Sequence, residues 1–162
     1  MSSNSNIIAL TMGDPSGVGT EIAIRAKIKK IKKPDFFIIH DIDFVKKILK
    51  KMKSKLKVRE ISSPSEVKKL PKNYLAVLPI KISKNTQLGK KNLSNVKSIL
   101  TSIDLAVKLA KNGEVAAIVT NPINKDVIGK KVKNFKGHTE YLAKKDRTND
   151  QLMMMMNKNL KT

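Results

Sequence analysis

Histidine is scarce in this chain, which carries only His40 and His138. His138 stands in Gly137-His138-Thr139-Glu140, shortly after Asn124 and Lys125. An imidazole can donate to a carboxylate or phosphate, and a threonine at a helix start adds a hydroxyl and nearby backbone N–H groups suited to an anion. Upstream lies an apolar run, Val115-Ala116-Ala117-Ile118-Val119, that stops at Thr120-Asn121-Pro122. The run reads as a buried strand. Polar groups gathered beyond the carboxyl end of such a strand are where open α/β sheets bind ligands. By residue type alone, a turn histidine and a helix-capping Thr139 explain the pair more simply.

A second candidate is Gly13-Asp14-Pro15-Ser16-Gly17-Val18-Gly19, which follows the apolar residues 6–12 and precedes a helical pattern opening at Thr20. Strand, glycine-rich turn and helix can present backbone N–H groups to an anion. The spacing matches neither standard phosphate fingerprint. Gly19-Thr20-Glu21 lacks the lysine of a P-loop, and Ile22 occupies the third glycine position of the dinucleotide pattern. A tight strand-to-helix turn explains the block equally well. His40 closes an apolar run beside Asp41, where a structural role is the simpler reading.

The remaining elements alternate. Residues 35–40, 57–61, 74–79 and 114–120 read as strands, and 151–156 (QLMMMM) as one more. The helix opening at Thr20 is expected to run to about Lys33, with Pro34 ending it. Asp41 is placed to cap a second helix. Ser63-Pro64-Ser65-Glu66 has the form of a capping box with proline at the first helical position. Residues 80–91 show no period and read as a loop. Residues 92–111 form the longest helical pattern, stopped by Asn112-Gly113. Thr139 is expected to cap a short helix carrying Tyr141 and Leu142, and residues 157–162 read as a turn. The alternation predicts an α/β fold with a largely parallel sheet flanked by helices.

Composition narrows the function classes. The formal charge is +21, made by 31 lysines and 3 arginines against 13 acidic residues. Such a balance suggests a basic nucleic-acid-binding module. However, arginine is the residue that forks onto phosphate and guanine, and aromatic residues for base stacking are only 4% of the chain. The lysines also spread through every amphipathic segment, as a solvated surface does, so no nucleic-acid partner is expected. With no cysteine, disulfides and thiolate metal sites are excluded. No apolar run is long enough to span a bilayer and no signal peptide is visible, so a cytoplasmic protein is expected.

Three blocks taken together resemble a known family. They are Leu10-Thr11-Met12-Gly13-Asp14-Pro15-Ser16-Gly17-Val18-Gly19, Val119-Thr120-Asn121-Pro122-Ile123-Asn124-Lys125, and Phe135-Lys136-Gly137-His138-Thr139-Glu140-Tyr141-Leu142-Ala143. In this order they resemble 4-hydroxythreonine-4-phosphate dehydrogenase of the vitamin B6 (pyridoxal 5′-phosphate) route, and the resemblance runs from about Ile7 to the end. It implies an oxidoreductase that uses NAD or NADP and a divalent metal (zinc, magnesium or cobalt). The substrate is a phosphorylated hydroxy amino acid. The implied architecture has two domains, is isocitrate/isopropylmalate dehydrogenase-like, and forms a homodimer. His138 and Thr139 inherit a substrate-binding role, and Lys125 matches a lysine able to pair with substrate phosphate or carboxylate. Two residues depart mildly from the family pattern: Thr20 replaces a usual proline and Asn121 a usual small residue. The family's metal-binding histidines and main nucleotide contacts lie beyond the point matching Thr162. Residues 1–162 are therefore expected to be the amino-terminal portion of a longer enzyme, without turnover by themselves. A paralogous dehydrogenase of a phosphorylated sugar acid is the alternative within the family.

Overall fold

A computed structural model describes residues 6–29, 34–148 and 150–156. Five strands make one sheet: β1 (Ile7–Leu10), β2 (Asp35–His40), β3 (Lys57–Glu60), β4 (Tyr74–Pro79) and β5 (Ala117–Val119). The order is β3-β4-β2-β1-β5, and every pairing is parallel, with Ala9 opposite both Phe37 and Ile118. The inner strands β1, β2 and β4 are short apolar runs with no internal polar alternation, the pattern of strands covered on both faces. The outer strand β3 (Lys57-Val58-Arg59-Glu60) is mostly charged and exposed.

The covers are helical. On one face lie α1 (Gly19–Ile28) and α2 (Ile42–Lys51), whose Ala23, Ile24, Val45, Ile48 and Leu49 pack on Leu10, Phe36, Ile38, Leu75 and Val77. On the other lies α3 (Val96–Lys111), where Ala106 and Leu109 meet Ala9, Phe37, Ile39 and Ala76. Asp41 caps α2 by accepting from the amides of Asp43 and Phe44, a contribution of about 1 kcal/mol. After α3, Gly113 takes φ 71. The Glu114 and Gly113 amides then donate back to the carbonyls of Leu109 and Ala110, closing a Schellman turn. Two short helices complete the chain, α4 (Lys125–Gly129) and α5 (His138–Asp146).

Several sequence expectations need correction. Helix α1 stops at Ile28 because Lys29 is already extended, so Pro34 is not its terminator; the expected continuation through Ile31 falls on residues 30–33, outside the described set. The capping box at Ser63 exists but opens a 3-10 turn, Pro64–Lys69, since only Pro64 and Val67 find a core to enter. Residues 151–156 form no strand. Only an isolated bridge occurs, at Met156, and Leu152 to Met156 are exposed, so among the described residues this apolar run enters no core. The expected turn at 157–162 lies outside the described residues. β5 is not buried as its composition suggested: it is an edge strand, and Val119 is 45% exposed. Among the described residues no helix is long and apolar enough to cross a membrane.

Candidate active-site edge

β1 and β5 are adjacent, and their onward connections run to different places. β1 leads into α1 on one face, whereas β5 is reached through α3 on the other. Such a divergence opens a crevice beyond the carboxyl ends of the two strands. The glycine-rich turn leaves β1 there, and residues 120–125 leave β5.

The two connections interlock. The Asn121 amide donates to Thr11 Oγ1 at 3.2 Å and its side chain donates to the Thr11 carbonyl at 3.0 Å. The Asp14 amide donates to the Pro122 carbonyl at 2.8 Å. A Cβ on Gly13 would lie 2.6 Å from Asn121 Cβ, and one on Gly19 3.1 Å from the same atom. These two glycines therefore make room for the Asn121 strut. The glycine-rich block serves packing, and Asp14 accepts locally from the Ser16 amide at 2.9 Å. Asn121 stands where a small residue was expected, and it is 3% exposed with its amide group bonded.

His40 is fully buried at the end of β2. Its Nδ1 accepts from the Asp41 amide at 2.8 Å, so Nε2 carries the proton and donates to Thr20 Oγ1 at 2.9 Å. The ring stacks on Phe44 with centroids 5.6 Å apart. Burial holds its pKa down to about 4, outweighing the favourable Asp41 contacts. It is a structural imidazole joining β2 to the first turn of α1, as its sequence context suggested.

His138 is different. It is half-buried, the first residue of α5, and its Nε2 is enclosed with no hydrogen-bond partner. Burial, then the Lys125 charge, pushes its pKa below the ordinary value, so the free imidazole is neutral at pH 7. Lys125 opens α4, whose cap is Asn124 accepting from the Val127 amide at 3.2 Å. A Cβ on Gly137 would come within 3.4 Å of Lys125 Nζ and 3.5 Å of Glu140 Oε2. The fold thus brings together Lys125 and His138 from two separate sequence blocks. Thr139 is half-buried beside them but does not cap α5. Gly137 occupies the cap position, without any side-chain cap bond, so the helix begins two positions earlier than a Thr139 cap would place it; its φ of +158 is one that glycine takes readily.

The edge is held by parts that periodicity alone did not single out. Val127 and Ile128 of α4 bury against Met12, Val96 and Ile99. On α5, Tyr141 donates to Asp104 Oδ1 and Lys145 to Oδ2, each at 2.8 Å, which pins the helix to α3. Buried Asn95 binds the Ser83 amide and Thr86, ordering the 80–91 loop, whose Gly89 amide reaches the Ser16 carbonyl at 2.8 Å. A cavity of about 1270 Å³ lies elsewhere. It opens at the amino-terminal end of β2 among Lys27, Lys53, Lys55 and Lys72, and among the described residues no site residue lines it.

A resident metal does not fit this edge, since among the described residues no three His, Cys, Asp or Glu side chains converge. The edge gathers the His138 imidazole, the Lys125 ammonium and, on the other side of Gly137, the Glu140 carboxylate, beyond the carboxyl ends of a parallel α/β sheet. A family model described as "Pyridoxal phosphate biosynthetic protein PdxA" matches residues 32–162. The chain belongs to that family. Similar curated proteins include the 4-hydroxythreonine-4-phosphate dehydrogenases of Trichlorobacter lovleyi, 34% identical over 91% of this chain and 45% of the relative, and of Pseudoalteromonas translucida, 27% identical over 95% and 46%. The crystal structure of the Klebsiella pneumoniae 4-hydroxythreonine-4-phosphate dehydrogenase superposes with a TM-score of 0.88 at 28% identity, covering 97% of this chain and 49% of that one. The chain therefore spans about half the length of the relatives it matches.

Proposed function

We propose that residues 1–162 form the substrate-holding portion of an NAD(P)-dependent 4-hydroxythreonine-4-phosphate dehydrogenase in pyridoxal 5′-phosphate biosynthesis. The reaction is oxidation of the secondary alcohol of 4-phosphohydroxy-L-threonine, with NAD or NADP as acceptor and a divalent metal required. The complete enzyme is a cytoplasmic homodimer with the two-domain isocitrate/isopropylmalate dehydrogenase-like architecture. The observation that carries the reading is the enclosed, unpartnered Nε2 of His138 beside Lys125, in a chain of this family. A buried polar atom without a partner is costly, and a bound ligand oxygen relieves that cost.

Each residue has a definite part. His138 supplies a single hydrogen bond to a substrate oxygen. Lys125 offers a positive charge to phosphate or carboxylate, and Thr139 adds a hydroxyl on the first turn of α5, whose helix dipole also favours an anion. These groups bind and orient. The residues that hold metal and nucleotide are outside this set, so no redox step is assigned to it. The test is NADH or NADPH formation from 4-phosphohydroxy-L-threonine with added divalent metal. The 162-residue chain alone gives none, whereas a chimera continued with the other half of the T. lovleyi relative turns over. In the chimera His138→Ala lowers kcat/KM about tenfold or more, the loss of one hydrogen bond to a charged group. Robust turnover by the short chain, or unchanged kinetics in the variant, overturns the reading.

A further inference from the structure

The cavity of about 1270 Å³ stands at the other end of the sheet from His138. It lies between the carboxyl ends of α1 and α2 and the starts of β2, β3 and β4. Its lining has two parts. Ile28, Phe36, Met52 and Leu56 make an apolar floor, and Lys27, Lys29, Lys53, Lys55 and Lys72 stand around it. Arg25 also borders it, but its guanidinium is paired with Glu21 at 2.7 Å. Among the described lining residues Asp35 is the one carboxylate.

Two of the lysines show more than a solvated surface. Lys53 takes φ 51, a left-handed backbone that favours glycine over lysine. Its amide and that of Ser54 donate back to the carbonyls of Lys50 and Leu49. The last turn of α2 is thereby closed, so its carbonyl dipoles do not meet an incoming anion unopposed. Lys27 holds its ammonium 5.8 Å from the centre of the Phe36 ring, and burial lowers its pKa more than the Asp35 charge raises it. A partly buried cation short of counter-charge is relieved by a bound anion.

We propose that this cavity binds a phosphate monoester with an apolar body, at a site separate from the His138 edge. Five lysines against one carboxylate favour a dianion, which a phosphate monoester approaches at pH 7 and a carboxylate does not. The apolar floor selects a hydrocarbon or aromatic body beside that head. 4-Phosphohydroxy-L-threonine is polar along its whole length and does not fit, so this site and the one at His138 are tested apart.

The isotopically labelled 162-residue chain is titrated separately with 1-naphthyl phosphate, 1-naphthol and inorganic phosphate. Naphthyl phosphate gives saturable amide shifts at Phe36 and at Lys53 to Leu56, at least tenfold tighter than either component and weaker as salt is raised. Lys53→Gly raises the melting temperature by about 3 °C by relieving the left-handed backbone, yet weakens binding about threefold. Combined with Lys55→Gln, the loss is at least tenfold, whereas Lys97→Gln on α3 changes nothing. If the short chain is too insoluble, the chimera with the other half of the T. lovleyi relative carries the same titrations. Phosphate binding as tightly as the ester marks a plain lysine surface, and naphthol binding as tightly marks a plain apolar crevice. Either result, shifts centred elsewhere, unchanged affinity in the double variant, or displacement of the ester by 4-phosphohydroxy-L-threonine overturns the proposal.

Discussion

Lowering the pH from 7.5 to 4.5 should destabilise the fold chiefly through His40. The ring is fully buried, and both nitrogens are committed, Nδ1 as acceptor from Asp41 and Nε2 as donor to Thr20. Its pKa is held to about 4 in the fold, against 6.5 for the ordinary side chain. A depressed folded value means that unfolding takes up a proton between those two limits. Stability is therefore fully present above pH 6.5 and is lost as pH falls toward 4. At 1.36 kcal/mol per pH unit, the gap is worth about 3 kcal/mol, a large share of a small domain's total. The assay is urea unfolding followed by circular dichroism at steps across this range, for the wild type and for His40→Gln. The wild type should lose about 3 kcal/mol more than the variant, whatever the variant's stability at neutral pH. If the variant does not fold, NMR titration of the His40 ring in the wild type serves instead, and it should show a neutral imidazole at pH 5. Parallel pH profiles, or a ring that titrates near 6.5, would refute the assignment of a buried, pinned tautomer.

Other substitutions probe the supports of the site. Gly13→Ala places a methyl 2.6 Å from Asn121 Cβ at φ +69, and should cost about 3 kcal/mol in chemical denaturation by combining overpacking with backbone strain. Asp104→Asn weakens the anchors from Tyr141 and Lys145; the groups are partly exposed, so about 1 kcal/mol is expected, read as faster hydrogen exchange in α5 with α1 unchanged. Lys125→Met removes the charge that helps to depress His138, and NMR titration should show the His138 pKa move up toward its ordinary value.

Much of the fold was legible because burial is written locally in it. β2 and β4 are continuous apolar runs and appear with the expected limits, while Asp41 and Gly113 end or begin their helices as their chemistry dictates. The misreadings share one cause, which is that local pattern does not say who the neighbour is. Residues 115–119 and 151–156 look alike as apolar runs; the first supplies the strand at the sheet edge, and the second is exposed with only an isolated bridge at Met156. Thr139 is a good cap by type, but Gly137, at φ +158, takes the position. The pairing of Lys125 with His138 depends on two loops meeting beyond the sheet, which family likeness indicated and periodicity did not. Asn121 was visible as a departure from the family pattern, although its strut to Thr11 spans 110 residues of sequence and is a tertiary fact.

The central claim is that the β1–β5 edge holds a phosphorylated hydroxy acid through His138, Thr139 and Lys125. Titrating the isotopically labelled 162-residue chain with 4-phosphohydroxy-L-threonine tests it most directly. Saturable amide and imidazole shifts centred on these three residues, weakened at least tenfold by His138→Ala, are the predicted result. Shifts centred on the lysine-lined cavity around Lys53 and Lys55, or equal affinity in the variant, would contradict it.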